Sequence, residues 1–383
     1  MVRKQEVLAA VLEKRGRINP RTFPYPESIP DDAAVVKMKM CGICGTDHHL
    51  KRFWPAIPTP VILGHECLGE IYEIGEKASK NLEARGDTLT EGDRVTWYAG
   101  ILCGKCWYCK NLPSNHMGSL CMNVKGYGQN ISCKDPPHLF GGYSEYVYIL
   151  PKTWVYKVPE NLTDEVAVLT DTFAVATGVR KAMMPFPALK EGFGPSDTVV
   201  IQGSGPIGLA AGITAKLCGA YKVILVGGEE QRIKMAEKLG IFDLIVDINE
   251  TTSVERIKMV KDATPGKVGP DLVVEAAGVP ETIPEGLEMA RRGGTYLEMG
   301  NFIETGKVEI SPFQHLCFKD IILIGQFAIP PQTFDVAFKF LEMALDRGIP
   351  VDKMVTTKYK INNVAEAFEK ENKYKGVKSI VVP

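Results

Sequence analysis

Between residues 33 and 160, apolar and polar positions alternate in short runs broken by glycine and proline. Ala33–Met40 is the clearest run: Val36, Met38 and Met40 point one way, Lys37 and Lys39 the other. A period of two predicts a half-buried strand. Comparable runs cover Glu70–Ile74 and Tyr143–Ile149. Short strands separated by turns predict a compact, partly barrel-like β domain. From about residue 175 the rhythm changes. Apolar runs at Asp197–Gln202, Lys222–Val226, Leu244–Val246, Asp271–Glu275 and Thr295–Met299 are interleaved with helical patterns, among them Glu230–Leu239, Ser253–Asp262 and Glu281–Ala290. That alternation predicts a doubly wound parallel sheet. It stops near Ile321, after which a long helix near Asp335–Arg347 and a strand-like Ser379–Val382 follow.

Composition narrows the function classes. With 383 residues the length favours two or three domains. Basic and acidic residues nearly cancel, 45 against 46, so no global field recruits nucleic acid or an anionic membrane. The apolar stretch Val7–Leu12 is too short for a signal segment, and no window approaches a membrane span. A cytoplasmic protein is expected. Ten cysteines without a secretion signal then argue for metal binding over a disulfide framework.

Four of those cysteines, Cys103, Cys106, Cys109 and Cys121, fall within nineteen residues. Interlocked C-x-x-C pairs deliver four thiolates to one centre, which suits tetrahedral structural zinc. An iron–sulfur cluster or a disulfide pair is the rival reading. The ferredoxin run would continue x3-Cys-Pro, whereas eleven residues separate Cys109 from Cys121 and Met122 follows. A filled four-sulfur shell has no open position, so the reaction must be sought elsewhere. Cys41, Cys67, Cys133, Cys218 and Cys317 lack evident ligand partners and are expected to be buried apolar residues.

Gly203-Ser204-Gly205-Pro206-Ile207-Gly208 follows a predicted strand and opens a predicted helix. In that setting the first glycine permits the turn, the second admits a pyrophosphate, and the third lets helix and strand pack. Gly203, Gly205, Pro206, Ile207 and Gly208 are therefore candidate contacts to a dinucleotide. The next strand ends in Val226-Gly227-Gly228-Glu229-Glu230, so the acid that would grip the ribose arrives late, as Glu229. Two glutamates would repel a 2′-phosphate, while Arg232 could pair with them or welcome one; NAD is favoured over NADP. A second candidate metal site begins at Cys44, in Cys44-Gly45-Thr46-Asp47-His48-His49, and continues at His65 in Gly64-His65-Glu66. A thiolate and an imidazole can hold zinc with positions left open.

Cys44-Gly-Thr-Asp, Gly64-His-Glu, the four-cysteine loop, Phe140-Gly-Gly-Tyr-Ser-Glu-Tyr and the glycine turn occur in the order of the zinc-dependent medium-chain dehydrogenase/reductase family, which the whole chain resembles. The resemblance implies a β-rich GroES-like catalytic domain, residues 1–174 and 322–383, around a Rossmann dinucleotide domain, residues 175–321. It implies a catalytic zinc on Cys44, His65 and Asp171, with Glu66 as a close or interchangeable ligand and Glu165 as runner-up to Asp171. A second zinc would sit on the cysteine loop. Zinc lowers the pKa of bound water to about 7, and a similarly bound alcohol loses its proton near neutral pH and can release hydride to nicotinamide. Thr46 would take the proton and His49 pass it on, with His48 exposed and incidental. The expected activity is alcohol dehydrogenation on a small alcohol, polyol or related secondary alcohol, with L-threonine or polyol dehydrogenase as alternatives. A zinc-free reductase branch and a non-catalytic dinucleotide-binding protein are the competing readings. A homodimer or homotetramer is expected. The connection over residues 109–121 is longer than is usual in the family.

Overall fold

In the computed structural model, which describes residues 6–52, 57–112, 120–183, 192–371 and 376–383, the alternating segment becomes the strand Ala34–Gly42. It pairs antiparallel with Glu66–Ile74, Tyr146–Ile149 and Lys378–Val382. Val36 and Met38 are buried while Lys37 is exposed, as the period of two requires. Around this hub a seven-stranded sheet runs in the order Val155–Lys157, Arg94–Trp97, Glu66–Ile74, Ala34–Gly42, Lys378–Val382, Val355–Lys360, with Tyr146–Ile149 attached to Ala34–Gly42.

A strand unforeseen in the sequence, Glu6–Lys14, pairs with Arg17–Pro24 and Val61–Ile62. Val7 and Ala9 through Leu12 are all buried. Burial on both faces erases the alternation, so the run gives no periodic signal. One apolar core joins both sheets, with Val11, Val36, Trp97, Tyr143 and Phe368 among its fully buried members.

The second unit is a six-stranded sheet in the order Leu244–Asp247, Lys222–Gly227, Thr198–Gln202, Leu272–Glu275, Thr295–Glu298, Ile322–Gly325. Every neighbouring pair is parallel. The order, two strands out one way from the first and three the other, is that of a dinucleotide-binding fold.

The compact units are residues up to Asp171 with Pro330–Phe338 and Val355–Pro383, and Thr172–Ile329 with Lys339–Met354. The boundary expected between residues 321 and 322 therefore falls one strand early, because Ile322–Gly325 completes the parallel sheet. Its connection hides it. The chain from Thr295–Glu298 to Ile322 contains a π-turn, Pro312–Leu316, and a 3₁₀ turn, Cys317–Lys319, where a crossover helix would have kept the rhythm audible. Among the described residues no helix is long and apolar enough to cross a membrane.

Candidate active site

Cys44 lies between the strand Ala34–Gly42 and the helix Gly45–Arg52, while Glu66 opens the neighbouring strand Glu66–Ile74 and His65 immediately precedes it. The antiparallel pairing of those strands matches Gly42 with Glu66 and so carries the three ligand candidates to one place. One ligand atom from each of Cys44, His65 and Glu66 lies within 4.8 Å of the others. A thiol, a buried imidazole and a buried carboxylate at that spacing are a donor set that fits zinc.

Asp47 orients the histidine. It is wholly buried. Its Oδ2 accepts the Cys44 N–H at 2.9 Å and the Tyr143 hydroxyl at 2.8 Å. Its Oδ1 lies 3.4 Å from His65 Nδ1. Burial alone would raise the Asp47 carboxyl, but His65 beside it holds it below the usual range. Burial likewise opposes charge on His65, and Asp47 outweighs that and pushes the imidazole well up. Asp47 Oδ1 and His65 Nδ1 are both buried and face one another without a closed hydrogen bond, and a carboxylate on that side of the ring leaves the other nitrogen for a metal.

Glu66 is held by Lys378, and both are buried. A Cβ at Gly42 would strike Glu66 Oε2 and come within 2.8 Å of Lys378 Cε, so only glycine fits beneath this ion pair. Asp171 lies on the helix Thr170–Ala176 and is not within the 4.8 Å set. Burial first, and Glu66 second, push its carboxyl up to about 6. A cation would relieve exactly that kind of crowding between carboxylates, so Asp171 suits a supporting ligand better than a free surface acid.

Thr46 and His49 share the helix Gly45–Arg52 at three residues' spacing and hence one face. The Thr46 hydroxyl accepts from Cys44 Sγ at 3.6 Å. His48 is not exposed as expected. It is half-buried with its ring 4.8 Å from that of Phe368, and burial brings its pKa down to about 4.

The four cysteines of the loop also converge, with ligand atoms within 4.8 Å of one another. The N–H groups of Cys103 and Cys106 point at the sulfurs of Cys121 and Cys103, at 3.3 and 3.4 Å. Backbone N–H groups bring the Cys103 thiol down to about 6. Burial pushes the Cys109 thiol up to about 12, a cost that a cation among four converging sulfurs would offset, and the set fits a four-sulfur metal centre. Residues 113–119 of that loop lie outside the described ones. Of the other cysteines, Cys41, Cys67 and Cys133 are buried as expected, whereas Cys218 is half-buried and Cys317 exposed on its 3₁₀ turn.

In the second unit the strand Thr198–Gln202 turns through Gly203, at φ +111°, into the helix Pro206–Leu217. A Cβ at Gly203 would come 2.7 Å from Ala277 N, and one at Gly208 would strike Gly203 O. A Cβ at Gly205 would meet only Arg232 Nη1, at 3.7 Å. The turn thus presents an open glycine, a helix N-terminus with Pro206 and Ile207 in its first turn, and a guanidinium, a cradle that fits a pyrophosphate. Glu229, at φ +63°, precedes the helix Glu230–Leu239. It follows the strand Lys222–Gly227, whose end lies against the turn through Ser204 Oγ, which donates to Gly228 O at 2.7 Å.

Asp47, Tyr143 and Lys378 had no assigned part in the sequence reading. Asp47 and Tyr143 stand inside quoted motifs, and the spacing of Asp47 three residues after Cys44 was a usable signal. Lys378 offered none.

Residues 30–160 match the alcohol dehydrogenase GroES-like domain family, and residues 206–343 the zinc-binding dehydrogenase family. The chain is 30% identical to an alcohol dehydrogenase of Thermotoga maritima, over 99% of this chain and 100% of that one, with a TM-score of 0.89. It is 30% identical to D-arabinitol dehydrogenase 1 of Uromyces fabae, over 93% of this chain and 91% of that protein. A Sinorhizobium meliloti protein solved with bound NADP is 27% identical over 99% of this chain and 100% of its own, at a TM-score of 0.81.

Proposed function

Because the chain belongs to the zinc-dependent medium-chain alcohol dehydrogenase family, we propose that it is a zinc-dependent oxidoreductase moving hydride between a secondary alcohol or polyol and a nicotinamide dinucleotide. The convergence of Cys44, His65 and Glu66 within 4.8 Å carries this reading. Zinc, when held there, makes an alcohol hydroxyl acidic enough to give up its proton near neutral pH. Cys44 and His65 would hold it, with Asp171 as third ligand and Glu66 interchangeable. Asp47 keeps the His65 ring turned. Thr46 takes the substrate proton at its Oγ1, and His49, on the same helical face, passes it towards solvent. Cys103, Cys106, Cys109 and Cys121 would hold a second zinc that supports the loop.

NAD is the proposed partner, since Glu229 and Glu230 follow the strand whose end would face the ribose of a dinucleotide on the glycine turn, and carboxylates repel a 2′-phosphate. We further propose a homo-oligomer. Ile322–Gly325 ends the order of its sheet, and Leu323, Phe313, Phe318 and Phe327 nearby are at least half exposed, a combination that invites pairing with a second copy. Light scattering reads this directly.

The deciding experiment screens polyols, secondary alcohols and their carbonyl forms with NAD and NADP by absorbance of the reduced nicotinamide, beside a metal count. Two zinc ions per chain, turnover on a polyol and a higher kcat/KM with NAD are expected. One zinc with no turnover would reject the catalytic reading, and a clear advantage for NADP would reject the cofactor assignment.

A further inference from the structure

Two carboxyl groups meet at the carboxyl edge of the parallel sheet. Glu275 ends its strand, Glu298 ends the next, and the two are register partners. Partners in register place their side chains on one face, where like charges repel. Glu275 is also completely buried, which makes a second charge beside it costlier.

Their hydrogen bonds show what the pair holds. Glu275 Oε1 accepts the N–H groups of Ala277 and Gly278 at 2.8 and 2.9 Å and the Thr282 hydroxyl at 3.0 Å. That fixes the loop after its own strand. Glu298 Oε1 accepts the Asn301 N–H at 3.0 Å and fixes the loop after the next. The Asn301 side-chain amide joins the two, donating to Glu298 Oε1 at 3.2 Å and to Glu275 Oε2 at 3.3 Å. Glu298 Oε2 is buried with no hydrogen-bond donor among the described residues, a place that one proton between the carboxyls would satisfy. The first loop abuts the glycine turn: Ala276 N–H donates to Gln202 O at 2.8 Å, and Ala277 N is what a Cβ at Gly203 would strike. The second borders a cavity of about 410 Å³ lined by Asn301, Phe302, Thr305 and Pro280.

We propose that Glu275 and Glu298 share one proton and form a positioning clasp that holds both loops in the shape that accepts the dinucleotide, and that losing this proton in alkali loosens the loops and weakens binding. The proposal rests on the reading of Gly203–Gly208 as the dinucleotide turn. With the proton in place one carboxyl donates to the other and a single negative charge remains. Without it a buried charge on Glu275 and a half-buried one on Glu298 repel. Burial first, then Glu298, push the Glu275 carboxyl up to about 8, so the clasp is closed at neutral pH. Around it stand the Tyr296 hydroxyl on the Glu298 strand and Glu285 on the helix Thr282–Met289. Glu285 is engaged by Arg256 at 2.7 and 3.0 Å. Gln202, the register partner of Glu275 on its other side, and Thr282 are uncharged.

The test is fluorescence titration of the full-length, metal-loaded protein with NADH and NADPH from about pH 6.5 to about pH 9.5. For one linked proton, wild type should lose up to about thirtyfold in affinity across that range. Glu298→Gln, whose amide donates permanently to Glu275, should lose less than about twofold. Glu275→Gln keeps Oε1 as the acceptor for the loop but loses the Oε2 that accepts from Asn301, so it should bind more weakly throughout yet with the same small dependence on pH, and it serves if the first variant fails to fold. An equal loss in wild type and either variant would overturn the clasp. Failure of wild type to bind either dinucleotide near pH 6.5 would overturn the reading of the glycine turn and the clasp with it.

Discussion

Thr46 carries the sharpest expectation at the scale of the residue. Thr46→Val keeps the side chain's shape beside Cys44 and deletes the acceptor, so turnover should fall by about 10²–10⁴-fold, with NADH binding unchanged by fluorescence. Undiminished turnover removes Thr46 from the proton path. Burial, then Arg52, hold the His49 imidazole below its ordinary pKa, so it stands neutral and ready as a base through neutral pH. His49→Gln should slow turnover most at low pH, where external base is scarce, and added buffer base should restore part of it; an unaltered pH profile removes His49. Residues of this kind, like Cys44 and His65, were legible because their chemistry is intrinsic to the side chain and its spacing. Asp47, Tyr143 and Lys378 were not. Each works only through a partner that folding brings to it, as Tyr143 does when it donates to Asp47 from 96 residues along the chain.

Among the elements, the cysteine loop and the Cys44 turn should answer differently to the same substitution. Cys106→Ser removes a thiolate from a centre that holds its own loop, so thermal stability should drop with the loss of one zinc. Cys44→Ser should abolish turnover at nearly unchanged thermal stability. If both variants unfold alike, or both merely lose turnover, the division into supporting and reacting metals is wrong. Legibility at this scale follows the number of buried faces. Ala34–Gly42 shows its period because Lys37 reaches water. Glu6–Lys14 conceals its period, since five of its central six residues are buried. Ile322–Gly325 was assigned outside the parallel sheet, because only a π-turn and a 3₁₀ turn introduce it.

For the whole molecule, the first unit is assembled from stretches far apart in the chain, and Lys378 is where they are locked. Its strand lies beside Ala34–Gly42, and its ammonium answers the buried Glu66 carboxylate. Lys378→Met should cost about 3–5 kcal/mol in urea denaturation, because it leaves a buried charge without its partner. A loss below about 1 kcal/mol would mean that Glu66 finds compensation elsewhere. The alternation of strands with helices made the parallel unit readable through its fifth strand, whereas the return of a late strand to an early sheet leaves no local mark. That return also sets a clock on biosynthesis. About 300 residues separate Glu66 from Lys378, which at 5–20 residues per second is roughly 15–60 s of translation. Throughout that interval the nascent chain carries a carboxylate whose counter-charge has not yet been made, so the ribosome releases the thiol, imidazole and carboxylate of the site well before it releases the cation that completes their surroundings.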